Sequence, residues 1–189
     1  MGEVRRGFKT EAASTAREVR AELGIRMIEP LDPCALAEHL AIPVLPLSGL
    51  AGCDPAAVRH LQVVEPEVFS AVTVFLGLRR VIVHNDAHNP GRQTNNITHE
   101  LSHGLLLHQP TPAVDDRGNR LWDQVIEDEA SLLAAILLLP QEACIDMARR
   151  GIADAGVAER FGVSIELARW RMGASAARTI ISRSRSKRA

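Results

Sequence analysis

The chain has 189 residues, a little over one domain at ~150 residues per domain, with 46% hydrophobic and 24% charged residues and 13 Gly and 10 Pro. Those values exclude a disordered, collagen-like or disulfide-scaffold chain. A net charge of −1, from 22 basic against 23 acidic residues, argues against a protein whose main work is coating nucleic acid or anionic lipid.

Near the start, Arg5-Arg6-Gly7-Phe8-Lys9 has the look of a twin-arginine export signal, but no apolar stretch follows, so export is rejected. Ala12, Ala16, Val19 and Leu23 at helical spacing predict a surface helix from Thr10 to Leu23, ended by Gly24. Pro30, Asp32 and Pro33 form a turn before a short helix over Cys34–Leu40. The prolines of Ile42–Leu47 limit it to an edge strand or extended connector, and 48–57 reads as a loop. The β-branched runs Val68–Leu76 and Arg80–His84 flank Gly77-Leu78-Arg79, a spacing that suits a glycine-turn hairpin. Asn89-Pro90-Gly91 breaks the strand, and a helix follows from Gln93 to His108, stopped by Pro110 and Pro112. A polar loop spans 110–121, a second long helix runs from Asp123 to Pro140, and shorter helices fill the remainder. The longest apolar run, Leu132–Leu139, is far short of the ~20 residues of a membrane helix, so no membrane partner is expected. Cys34, Cys53 and Cys144 form no CxxC pair, which fits a reduced, cytoplasmic setting. All three are read as small buried hydrophobes.

The chemistry lies in His99-Glu100-Leu101-Ser102-His103, an HExxH motif inside a predicted helix. Spacing of four residues brings both imidazoles to one face, one turn apart, where they can meet a single tetrahedral Zn²⁺ while Glu100 reaches a water beside it. With 7 His in the chain, chance alone gives roughly 0.02 such motifs. A catalytic zinc needs a third protein ligand, and the second long helix offers Glu127, Asp128 and Glu129. Glu129 falls in that helix's apolar stripe with Val125, Ile126, Leu132, Leu133 and Ile136, so its charge needs a strong counter-charge, and a metal supplies one. Glu129 is therefore taken as ligand. Around Glu127 the same counting finds the milder face of Gln124, Ala130, Ser131 and Ala134, and Glu127 or Asp128 is given the role of holding an imidazole N–H. Since the chain has no Tyr, oxyanion stabilisation would fall to His84, His88, His108 or Arg92. Gly104, after His103, leaves room for close approach of backbone, substrate or the sheet, and Val81-Ile82-Val83 could offer a strand edge to an extended peptide.

HELSHGLLLH, followed by EDEASLLAAILLLP and preceded by Arg92 and PLDPCALAEHLAIPV, resembles the ImmA/IrrE family of zinc-dependent endopeptidases, over about residues 10–141. The resemblance implies an α+β fold: a small zincin-like metalloprotease core with a short antiparallel sheet. It also implies one zinc per chain on His99, His103 and Glu129, with Glu100 as general base. The implied substrate is a helix-turn-helix transcriptional repressor, cut so that stress-response or mobile-element genes are released.

Residues 1–141 carry 12 Lys/Arg and 18 Asp/Glu, and 142–189 carry 10 and 5, so the division is drawn as a peptidase core followed by a basic, helical segment. Ala153–Phe161, Gly162-Val163 and the stretch from Ser164, a plausible N-cap, read as helix, turn, helix. A DNA-binding role would use Arg169 and Arg171 with tail residues Arg178, Arg183, Arg185, Lys187 and Arg188. The preferred alternative is a helical cap on the peptidase. A non-proteolytic regulator that binds DNA or a repressor, with a residual metal site, is the competing function.

Overall fold

The computed structural model describes residues 4–77, 79–108 and 123–186. The polar loop expected at 110–121, Leu78 of the hairpin turn, and Lys187 and Arg188 lie outside the described residues. The fold is α+β. Helix α1 (Phe8–Glu22) starts two residues before the expected Thr10, because Phe8 is an anchor with no exposed surface; Ala12, Ala16 and Val19 continue its buried stripe. Helices α2 (Pro33–His39) and α3 (Pro55–Arg59) open alike: Asp32 accepts from Cys34 N and Asp54 from Ala56 N, each with Pro at the first helical position. The loop expected at 48–57 therefore ends earlier, at this second Asp-Pro cap.

Strand β1 (Val44–Pro46) and the hairpin strands β2 (Ala71–Leu76) and β3 (Arg79–His84) form a three-stranded sheet in the order β1-β3-β2. β1 runs parallel to β3, with Val44 opposite Ile82, and β2 runs antiparallel to it, with Thr73 opposite Ile82. The sheet is thus mixed, not purely antiparallel. β3 is its central strand, so the edge expected at Val81-Ile82-Val83 is already hydrogen-bonded on both sides. β1 is an edge, as its prolines require.

Helix α4 (Pro90–Leu105) also begins on an Asx-Pro pair: Asn89 accepts from Arg92 N at 2.9 Å, and Pro90 starts the helix. Asn89-Pro90 is therefore a cap rather than a breaker, and the helix ends at Leu105, before His108. Helix α5 (Gln124–Leu138) is capped by Asp123, which accepts from Val125 N and Ile126 N. It is the centre of the molecule, packed by α1, α4 and α8 (Ile165–Ala174), and is buried from Asp128 through Leu138 except at Ser131. Each fully buried Leu or Ile there contributes about 1.5–3 kcal/mol. At its C-terminal end, the buried Arg20 of α1 donates to Leu137 O at 2.6 Å, and the buried Arg171 of α8 donates to Leu139 O at 2.9 Å. Two guanidinium groups thus meet the negative end of the helix dipole. No single helix among the described residues is long and apolar enough to cross a membrane.

Beyond Pro140, α6 (Gln141–Arg149), α7 (Asp154–Phe161), α8 and α9 (Ala177–Ser186) complete the chain. Gly162, in the left-handed region at φ 63°, turns α7 into α8, and Ser164 caps α8 by accepting from Leu167 N. This turn docks on the start of α4. A Cβ at Gly91 would lie 2.7 Å from the backbone of Val163, so only glycine permits the approach, and Asn95 Nδ2 donates to Ser164 Oγ at 2.8 Å. One hydrophobic core runs from Phe8 to Ala177, across position 141. Of the cysteines, Cys144 is buried, whereas Cys34 and Cys53 are exposed, contrary to the expectation for those two. Both sit beside Asp-Pro helix caps at the surface.

Candidate metal centre

His99 and His103 project from one face of α4 with ring centroids 4.8 Å apart and planes at 78°, and their Nε2 atoms are 3.1 Å apart. Glu127, three residues into the first turn of α5, completes the group. Its Oε2 lies 3.1 Å from His99 Nε2 and 3.6 Å from His103 Nε2. Among the described residues these three form the group whose ligand atoms lie close enough together to hold a metal ion. Burial would raise the Glu127 carboxyl, but hydrogen bonds from His103 and His99 and their proximity outweigh it and hold the group down at about 2. Ligands ~2.0–2.1 Å from a tetrahedral ion stand about 3.3 Å from each other. The three observed separations bracket that value, and two imidazoles with one carboxylate suit zinc.

The remaining ring nitrogens are held as such a site requires. His103 Nδ1 is 2.9 Å from His108 Nδ1, and His99 Nδ1 is 3.3 Å from Ser131 Oγ. In the tautomer that a metal would require, with Nε2 of each imidazole free of its proton, Nδ1–H of His103 would donate to His108 and Nδ1–H of His99 to Ser131. Burial, followed by the neighbouring His103, lowers the His108 pKa, which keeps it neutral and able to accept. Glu100 turns toward the sheet, where Thr73 Oγ1 of β2 donates to its Oε2 at 2.6 Å. The sequence reading named His99, Glu100 and His103, offered His108 for the oxyanion rather than as a partner of His103, and gave Glu127 only a supporting role. It missed Thr73 and Ser131, which carry no motif of their own. Ser131 stands four residues after Glu127, and that helical spacing was the available signal.

The third ligand requires correction. Glu129 is only 6% exposed, as its stripe implied, but its counter-charge is a guanidinium: Arg5 Nε donates to Glu129 Oε1 at 2.8 Å and Arg5 also pairs with Glu11. Two residues along a helix is about 200° of rotation, so Glu127 and Glu129 cannot share a destination. The structure brings Glu127 to the imidazoles and Glu129 to the chain's N-terminal segment. Asp128 is buried, and its Oδ2 has no partner among the described residues.

The other candidates lie apart from the cluster. Arg92 is held by Glu67 at 2.6 Å and Ser70 Oγ at 3.1 Å. His88 Nε2 donates to Pro66 O at 2.9 Å. His84 closes β3 with its Nδ1 buried and without a partner among the described residues, and burial lowers its pKa. Arg169 is exposed on α8. Arg171 is 6% exposed, faces inward, and its Nε donates to Leu139 O. Gly104 faces Ile42 and the Arg80 guanidinium, so its missing side chain admits the sheet.

Beside His99 a cleft of about 220 Å³ runs between α4, α5 and α8, bordered by Asn95, Asn96, Ser131, Ala134 and Leu167. Compared with known families, residues 57–172 match the model of peptidase M78, described as the IrrE N-terminal-like domain. No curated protein matches the chain.

Proposed function

The chain belongs to the ImmA/IrrE family of M78 peptidases, a metallopeptidase family, and from that premise we propose that it is a zinc-dependent endopeptidase that cuts a helix-turn-helix transcriptional repressor. The observation that carries the reading is the meeting of His99, His103 and Glu127 from two helices beside Glu100. These three side chains would hold one zinc ion. When bound, zinc supplies Lewis acidity, polarising a scissile carbonyl and making water more acidic.

The chain's own residues do the rest. Glu100 takes the proton from the attacking water and returns it to the leaving amine. Thr73, by donating to Oε2, fixes the Glu100 rotamer and leaves Oε1 as the proton-accepting atom. β2 pairs only with β3 among the described strands, so its outer edge can pair with an extended peptide. Its exposed Val72 and Val74 offer apolar contacts, and Thr73 ties that same strand to the general base. The cleft beside His99 would take a substrate side chain next to the scissile bond. The repressor substrate and release of stress-response or mobile-element genes are what the family resemblance implies, and the cytoplasmic setting is what the cysteine usage implies.

The test is incubation of the zinc-loaded protein with the helix-turn-helix repressor encoded nearest to it, with cleavage followed by mass spectrometry. The parent cuts at a defined bond, and Glu100→Gln retains zinc yet loses about 10²–10⁴-fold in rate. Parental cleavage by Glu100→Gln would refute the base assignment. An intact repressor, together with salt-dependent binding of duplex DNA, would favour the non-proteolytic regulator.

A further inference from the structure

Helix α5 has a second functional-looking face. Leu132 and Ile136 lie roughly 140° and 180° around the helix from Glu127, and there they floor a cavity of about 400 Å³ closed by α1, the start of α6 and α8. Arg171 is in its wall. The two buried arginines among the described residues are provided for very differently. Arg20 gives its terminal nitrogens to three carbonyls, those of Leu137, Arg26 and Glu29. Arg171 has Leu139 O for its Nε, but its two terminal nitrogens have no hydrogen-bond partner and no carboxylate within 4 Å among the described residues. A charge this deeply buried is costly without a counter-ion. Lys9 and Arg17 add positive charge around the same cavity; Glu142 is its one acidic lining residue, paired with Arg17 at 3.5 Å and attracting Arg171 through space without a hydrogen bond to it. The remaining walls are largely apolar, with the Trp170 ring beside the guanidinium.

We propose that this cavity is a binding site for a small apolar carboxylate, distinct from the metal centre. The guanidinium of Arg171 presents its two free nitrogens as a fork to the carboxylate, and the hydrocarbon body lies between Leu132, Ile136 and Trp170. The volume is within the range of small-molecule sites, and the ligand supplies the acceptors that the protein does not.

Octanoate is the probe, titrated calorimetrically into the full-length protein, with octanamide as its neutral counterpart. The expected result is one saturable site with Kd of about 1 mM or tighter and octanamide at least about 10-fold weaker. Arg171→Gln should weaken octanoate by a similar factor. Because that change also bares Leu139 O, Lys9→Glu on the exposed rim and Ala174→Phe, which fills the cavity, are measured beside it. Both should retain the parental circular dichroism and zinc content while weakening or abolishing binding. No saturable binding to folded parent protein, equal affinity for octanamide, or unchanged affinity in Ala174→Phe would each overturn the proposal.

Discussion

Glu127 and Glu129 stand on opposite faces of one helical turn, and the two faces have different chemistry. The Glu127 side opens on α4 and its imidazoles, continues through Ser131, and is partly accessible, with a quarter of the Glu127 side chain exposed. The Glu129 carboxylate is buried and is neutralised by Arg5, 124 residues away in sequence. An acid needed for metal chemistry must remain within reach of solvent and substrate, whereas an acid fully enclosed in the core serves to fix the chain that covers it. Burial by itself therefore identifies a carboxylate that must be paired, not the partner it has.

The comparison is broken or sharpened by substitution on each face. The largest effect is expected at Glu127: its change to Ala removes one of three ligands and lowers peptide hydrolysis by more than about 10³-fold, measured as kcat/KM on a defined peptide. Next, His108→Ala takes away the acceptor that orients His103 and should weaken zinc by about 10–100-fold in a competition titration against a chelator. Unchanged affinity would assign His103 a different tautomer. Thr73→Val leaves zinc in place and lowers kcat by about 10-fold with little change in KM, because it frees the Glu100 rotamer without touching the ligands. On the other face, Glu129→Gln keeps hydrolysis within about twofold of the parent and lowers the thermal midpoint by about 2–4 °C. Loss of activity there at full zinc occupancy would mean that the two faces are coupled.

Much of this arrangement was legible in the residues. HExxH gave the face of α4, and the limits of α5 followed from Asp123 and Pro140. The Asx-Pro pairs were legible but ambiguous: the same two residues can end one element or cap the next, and only tertiary position decides, as at Asn89-Pro90. The identity of the third ligand was hidden because the stripe of a helix reports depth, and its neutraliser, Arg5, sits in a segment with no local tie to α5. Parallel pairing of β1 with β3 is likewise a long-range choice that a three-residue strand cannot announce. The α7–α8 turn docks on Gly91 and Asn95 of α4, so the segment that reads as helix, turn, helix packs against the rest of the chain, a long-range contact its own residues do not announce.

Zinc content is the most direct arbiter. The parent protein, Glu127→Ala and Glu129→Ala are purified alike, equilibrated with limiting zinc, desalted and measured by elemental analysis alongside circular dichroism. The account predicts one zinc per chain in the parent and in folded Glu129→Ala, and nearly none in folded Glu127→Ala. Full zinc in Glu127→Ala together with its loss from a folded Glu129→Ala would contradict it.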